Sequence, residues 1–227
     1  ADIIEKAAQV EGIRRIRLSS LDPDLVTRSQ IQRFAAVEKL CPQFHLSLQS
    51  GSTGTLNRMR RPYNANQYRE AALALRQAIP GAMLTTDIIV GFPGETEDQH
   101  EELMQFVDEM EFDRLGVFTY SPEEDTPAAV MPDQIAEEVK EERQADLMEL
   151  QQEIAFDNAE NMIGREMLVM IEGKVADENA YVGRTYRDAP NVDGLIFINT
   201  EEELISGDFA KVKITGALEY DLIGELL

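Results

Sequence analysis

The apolar positions change their spacing several times along the chain. Ile3, Ile4, Ala7, Ala8 and Val10 fall near helical spacing and predict a helix within residues 2–11. Ile13, Ile16 and Leu18 then lead through Ser19-Ser20 to Pro23, a short strand ending in a turn. Ile31, Phe34, Ala35 and Leu40 predict a helix over residues 28–40. "FHLSLQS", Phe44 to Ser50, alternates apolar and polar and predicts a strand. Helices follow over 54–61 and 65–79, with Pro62 at the break, and Thr85–Val90 predicts another strand. Thr96–Met110 reads as a helix opened by a capping box, with Thr96 at the cap and Gln99 three residues on. "RLGVFTYS", Arg114 to Ser121, predicts a fourth strand.

Strands alternating with helices, and no tight hairpin before residue 120, predict an α/β architecture with parallel strands and crossover helices. Four strands are too few for a closed eight-stranded barrel, so a partial parallel (βα) barrel is expected over residues 1–132. From Asp133 to about Met162 the pattern is one long acidic helix. Its apolar stripe is Ile135, Val139, Leu147, Leu150 and Ile154, and Gly164 ends it. This connecting helix is assigned to residues 133–163. Five short β-rich runs follow: Met167–Glu172, Ala180–Thr185, Gly194–Ile198, Ala210–Ala217 and Asp221–Leu226. They predict a small antiparallel β-barrel over 164–227, similar in plan to oligomer-binding barrels.

Charge and cysteine content narrow the chemistry. The chain of 227 residues has a net charge of -22. Residues 1–112 carry -4, residues 113–159 carry -10 and residues 160–227 carry -8. Such a chain repels nucleic-acid phosphate overall and attracts basic partners. The single cysteine, Cys41, makes no internal disulfide and builds no tetrahedral thiolate site by itself. It reads as a small buried hydrophobe. No apolar run approaches the ~20 residues of a membrane span, and no signal segment is seen, so a cytoplasmic setting is the expectation.

Ligands of parallel α/β folds sit at the carboxyl ends of the strands. Here those ends read Ser19-Ser20, Gln49-Ser50-Gly51-Ser52, Gly91-Phe92-Pro93-Gly94-Glu95 and Tyr120-Ser121. A glycine turn between strand and helix can cradle phosphate. This helix, however, begins Glu95-Thr96-Glu97-Asp98, and no lysine or arginine follows the glycines as a P-loop requires. The stretch therefore suits a ligand with positive charge and an apolar flat group, or it is a tight turn before a capped helix. The run Arg58-Met59-Arg60-Arg61 reads as a solvated face or an anchor for an anionic group. His45 and His100 lack ligand-spaced partners and read as surface or core residues rather than metal ligands.

Taken together, "HLSLQSGSTGTLNRMRR", "TTDIIVGFPGETEDQHEEL" and "GVFTYSPEEDTPAA" resemble the successive strand-end motifs of the radical S-adenosylmethionine methylthiotransferases. The C-terminal module resembles the TRAM domain of that family. The resemblance covers essentially the whole chain. It implies S-adenosylmethionine on the strand ends, reductively cleaved at a [4Fe-4S] cluster, with a second cluster supplying sulfur. By motif match, Gln49, Ser50, Gly51, Asp87, Gly91, Phe92 and Glu95 are cofactor-binding, and Arg184, Tyr186 and Asp188 of the TRAM module are substrate-binding. Glu95→Gln is then expected to weaken cofactor binding and leave the fold intact.

The family's cluster-binding CxxxCxxC is absent from this chain. The resemblance therefore implies a C-terminal fragment that binds no cluster, has no metal site of its own and does not catalyse alone. "RIRLSSLDPD" and "HLSLQSGS" are similar to the branch that modifies threonylcarbamoyladenosine in tRNA. "RLGVFTYSPEEDTPAA", "VGRTYRDAPNVDGLIFI" and "ALEYDLIGE" are similar to the branch that methylthiolates an aspartate of a small-subunit ribosomal protein. The acidic C-terminal third favours a basic ribosomal protein over tRNA as partner. A non-catalytic acidic module that binds a basic protein is the other expectation.

Overall fold

The predicted alternation forms a four-stranded parallel sheet in the order β1-β2-β3-β4. The structure, a computed structural model, describes residues 1–227. In chain order the α/β unit contains α1 (Asp2–Ala8), β1 (Ser20–Leu21), α2 (Arg28–Ala35), β2 (Gln43–Leu46), α3 (Thr53–Arg58), α4 (Ala65–Ala78), β3 (Met83–Val90), α5 (Glu97–Met110) and β4 (Arg114–Thr119). Contacts divide the chain into Ala1–Gln152 and Glu153–Leu227. α6 (Glu137–Glu160) crosses that division. No helix is long and apolar enough to cross a membrane.

Two strand boundaries differ from the sequence expectation, α2 ends at Ala35 rather than Leu40, and α6 begins at Glu137 rather than Asp133. The first strand is not at Ile13–Leu18. Ile16 makes only an isolated bridge to Leu40, and the ladder forms at Ser20–Leu21. Ser20 thus lies inside a strand and not beyond its end. β2 stops at Leu46 because the chain soon turns left-handed at Gln49, where φ is 71°. A second isolated bridge, Gln49 to Ile88, ties that turn back to β3. The helix starts are better anticipated. Thr96 accepts from Gln99 N, and the Gln99 side chain accepts from Thr96 N, both at 3.3 Å, so the α5 capping box is present as read. α4 carries a second such box at Asn64 and Gln67.

Register fixes the two faces of the sheet. Phe44 pairs with Leu84, and Thr86, Ile88 and Val90 pair with Leu115, Val117 and Thr119. Most of this face is fully buried, and Tyr68, Phe106 and Phe112 form a cluster of edge-on rings in the α/β core. On the other face Ser20, His45, Thr85 and Arg114 are register neighbours in one row, Asp87 and Gly116 in the next, and Ile89 and Phe118 beyond. Several of these are half-buried, and Phe118 is 54% exposed. Parallel strands covered on both faces read as continuous apolar runs; the alternation in this sequence marks a sheet with one polar, open face.

The second unit is a closed barrel in the order β5-β6-β7-β9-β8. Its strands are β5 (Glu166–Lys174), β6 (Ala180–Arg184), β7 (Ile196–Asn199), β8 (Phe209–Leu218) and β9 (Asp221–Leu226). Each lies at a position the sequence predicts. The seam between β7 and β9 is parallel, so the barrel is not antiparallel throughout. Val169, Ile171, Ile196, Ile198, Val212 and Ile214 fill its interior, each 1% exposed or less. Closure removes the unpaired edges that an open sheet must protect.

Candidate functional site

The carboxyl ends of β2 and β3 bring Gln49, Ser50, Gly51, Gly91, Phe92 and Glu95 together. The turn after β2 is stitched to β3: Gln49 N donates to Asp87 O and Ile89 N donates to Gln49 O, each at 2.9 Å. Ser50 is fully buried and its Oγ accepts from Ser52 N at 3.2 Å. Gly51 packs against α5. A Cβ there would lie 2.7 Å from Phe106 Cβ and 3.1 Å from Leu103 Cα, so this position admits no side chain. Arg58 of α3 donates to Thr55 Oγ1 at 3.1 Å and to the Gln99 side chain, and it sits beside Gly94. The first arginine of the basic run is therefore a brace between α3 and α5.

The turn after β3 is tighter. Gly91 is left-handed, with φ 70°, and a Cβ on it would collide with Lys140 Cγ. The Gly91 amide donates to Glu95 Oε1 at 2.8 Å, the Gly94 amide to Asp133 O at 2.9 Å, and the Glu95 amide to Phe92 O at 2.9 Å. With these amides engaged, the turn cannot act as a phosphate cradle, which works through free N–H groups. Phe92 is buried edge-on against Tyr120, the ring centroids 5.2 Å apart.

Glu95 departs most from expectation. Its side chain is 1% exposed and pairs with Arg143 of α6, Nη1 to Oε1 at 2.9 Å. Arg143 also donates to Glu95 O at 3.2 Å and pairs with Glu97 at 3.2 Å. Glu95 Oε2 is buried with no hydrogen-bond partner. Replacing Glu95 by glutamine would leave Arg143 without its main buried counter-charge, so a stability cost is expected beside any effect on cofactor binding.

Asp87 lies on the open face of the sheet. Its carboxylate is 45% exposed and is 3.4 Å from His45 Nε2, while His45 Nδ1 contacts Thr85 Oγ1 at 3.0 Å. Gly116 leaves the space for it, since a Cβ there would lie 2.8 Å from Asp87 Oδ1. His45, Gly116, Lys140 and Arg143 were not among the sequence-selected site residues. A glycine inside the strand "RLGVFTYS" is a signal of close approach. His45 could be found only from its register partner Thr85.

Of the three residues chosen in the barrel, Arg184 ends β6, and Tyr186 and Asp188 lie in the turn that follows it. Arg184 pairs with Glu172 and donates to Asp188 O at 3.3 Å. Asp188 is 5% exposed; its Oδ2 accepts from Thr185 N at 3.1 Å and from Thr185 Oγ1 at 2.7 Å. Tyr186 packs on the barrel core. Asp188 therefore holds the turn and faces inward, while Arg184 stays partly open at its rim. No group of three or more His, Cys, Asp or Glu side chains is arranged to hold a metal, and Cys41 is buried.

Comparison with known proteins identifies the families that the two units resemble. A model of the Radical SAM superfamily matches residues 1–107, and a TRAM domain model matches residues 163–227. The chain is 48% identical over 223 residues to the ribosomal protein uS12 methylthiotransferase RimO of Lachnoclostridium phytofermentans, covering 98% of this chain and 51% of that protein. It is 42% identical over 226 residues to the protein of the same name in Desulforamulus reducens, covering 99% and 51%. The chain thus spans about half the length of the curated relatives it matches. Coproporphyrinogen III oxidase (HemN) from Escherichia coli, a radical SAM enzyme, shares the fold with a TM-score of 0.50 at 13% identity, over 76% of this chain and 46% of that one.

Proposed function

The chain belongs to the radical S-adenosylmethionine superfamily and carries a TRAM domain, and on that premise we propose that it is part of a methylthiotransferase acting on an aspartate of a basic ribosomal protein. The observation that carries this reading is the 48% identity to a uS12 methylthiotransferase across both the strand-end turns and the barrel. The charge agrees in sign: residues 160–227 carry -8, which repels tRNA and attracts a basic protein.

Two observations support S-adenosylmethionine at the strand ends. The half-exposed Asp87 carboxylate stands in a cradle kept open by Gly116, and Glu95 Oε2 is an orphaned buried acceptor nearby in sequence. Asp87, Gln49 and the Gly91–Glu95 turn would hold the cofactor, which supplies the hydrogen-abstracting radical. A sulfonium or an ammonium suits the half-exposed Asp87 carboxylate, which lies one register row beyond Arg114 on the open face. Gly51 and Ser50 would act by shaping the turn, since packing and burial keep them from direct contact. Arg184 and Tyr186 would meet the protein substrate at the barrel rim, with Asp188 holding their turn. A [4Fe-4S] cluster does not fit the residues present: one buried cysteine cannot ligate it. Its cysteines would lie outside these residues.

The test uses the full-length protein, reconstituted anaerobically with iron and sulfide and given S-adenosylmethionine and a reductant. Ribosomal protein uS12 and total tRNA are offered separately and analysed by mass spectrometry. A methylthio addition on an aspartate of the protein is expected. Addition to tRNA alone would transfer the assignment to the tRNA branch, which the "HLSLQSGS" motif favours. Salt-sensitive binding of tRNA without binding of the basic protein would point the same way.

A further inference from the structure

The turn after β3 is held by a helix outside its own strand–helix unit. α6 reads in sequence as an acidic connector with an aliphatic stripe, yet its buried positions run Lys140, Arg143, Leu147, Gln151 and Ala155. Three of these five are polar, and each has a specific acceptor. Lys140 Nζ donates to Tyr120 O at 2.9 Å, and its stem fills the space where Gly91 lacks a Cβ. Arg143 closes on Glu95 through both its backbone and its carboxylate. Gln151 Nε2 donates to Phe112 O at 2.8 Å at the far end of β4. The segment before the helix adds the Asp133 carbonyl on the Gly94 amide.

We infer that the first turns of α6 set the shape of Gly91–Glu95, with Arg143 and Lys140 as positioning residues for cofactor binding at that turn. The inference rests on the S-adenosylmethionine reading above. A left-handed glycine and a buried carboxylate do not hold one conformation by themselves; fixed cations on a rigid helix do. Lys140 is 4% exposed and Arg143 is 6% exposed, so neither reaches solvent to meet a ligand directly. They act through the turn. Gln151 provides an internal control, because it is a buried donor on the same helix, remote from the turn.

The experiment measures S-adenosylmethionine affinity of the full-length protein by anaerobic titration calorimetry, well below the melting temperature of every variant. Wild type is compared with Arg143→Met, Arg143→Lys, Lys140→Met and Gln151→Met. Arg143→Met is expected to weaken binding about tenfold or more, in line with the sensitivity of sites to small misplacements. Arg143→Lys restores part of the loss. Lys140→Met keeps the apolar stem, so it folds if Arg143→Met does not, and it weakens binding less. Gln151→Met lowers the melting temperature and leaves affinity unchanged. Wild-type affinity in Arg143→Met and Lys140→Met, or an equal loss in Gln151→Met, overturns the inference while leaving the cofactor reading in place. A wild-type protein that binds no S-adenosylmethionine overturns both.

Discussion

The turns after β2 and β3 solve one problem by different means. Both leave the strand through a left-handed residue, Gln49 at φ 71° and Gly91 at φ 70°. Both then bring a glycine against a helix. Gly51 meets Phe106 and the backbone of α5, the helix that follows the next strand. Gly91 meets Lys140, and Glu95 beside it meets Arg143, on a helix some fifty residues further along. The first turn is held by close packing at Gly51 together with neutral hydrogen bonds to β3, the second by a buried ion pair. A packed turn has one arrangement because the interior tolerates no gap. A charged turn depends on partners that must remain together, since either one alone is an uncompensated buried ion.

That contrast can be broken by substitution. The largest effect is expected from Arg143→Met, which strands Glu95: a loss of about 3–5 kcal/mol by urea unfolding. Adding Glu95→Leu to the same protein should recover most of it, because a buried pair replaced by apolar groups is often neutral. If the double variant is no better than the single, charge is not what holds the β3 turn. Gly51→Ala comes next, at about 1–3 kcal/mol, because its Cβ would press on backbone as well as on a ring. A cost near zero there would mean that α5 can move away and that the β2 turn is not fixed by packing. Thr96→Ala removes the cap of α5 between the two turns and should cost about 1 kcal/mol. The smallest effect belongs to Gln49→Gly, where relief at positive φ offsets added chain entropy and the change stays within about 0.5 kcal/mol. A larger loss would show that the Gln49 side chain, not only its backbone, secures the turn.

The two units also differ in how much of them could be read from sequence. All five barrel strands were legible, because each strand alternates and each turn is marked, and a closed barrel needs little beyond its own pattern. The parallel seam between β7 and β9 was not legible, since side-chain alternation is the same for either direction. In the α/β unit, α5 was read correctly from Thr96 and Gln99, whose capping box is a local interaction of four residues. The first strand was misplaced because Ile13, Ile16 and Leu18 have a strand pattern but find a partner only at Ile16.

What the sequence determined by itself was local and periodic: the strand–helix alternation, the capped start of α5, the five strands of the barrel and the ordered strand-end motifs. Register and long-range partners were decided only by tertiary structure. "EEVKEERQAD" looks like a solvated helix face, and nothing within it distinguishes Lys140 and Arg143 from the acidic residues around them. Their burial follows from where α6 lies along β4, which supplies the Tyr120 carbonyl, and from where the β3 turn places the Glu95 carboxylate. Glu95 is turned inward for the same reason. A buried cation is stable only beside its counter-charge, and that counter-charge comes from a part of the chain that the helix meets only on folding.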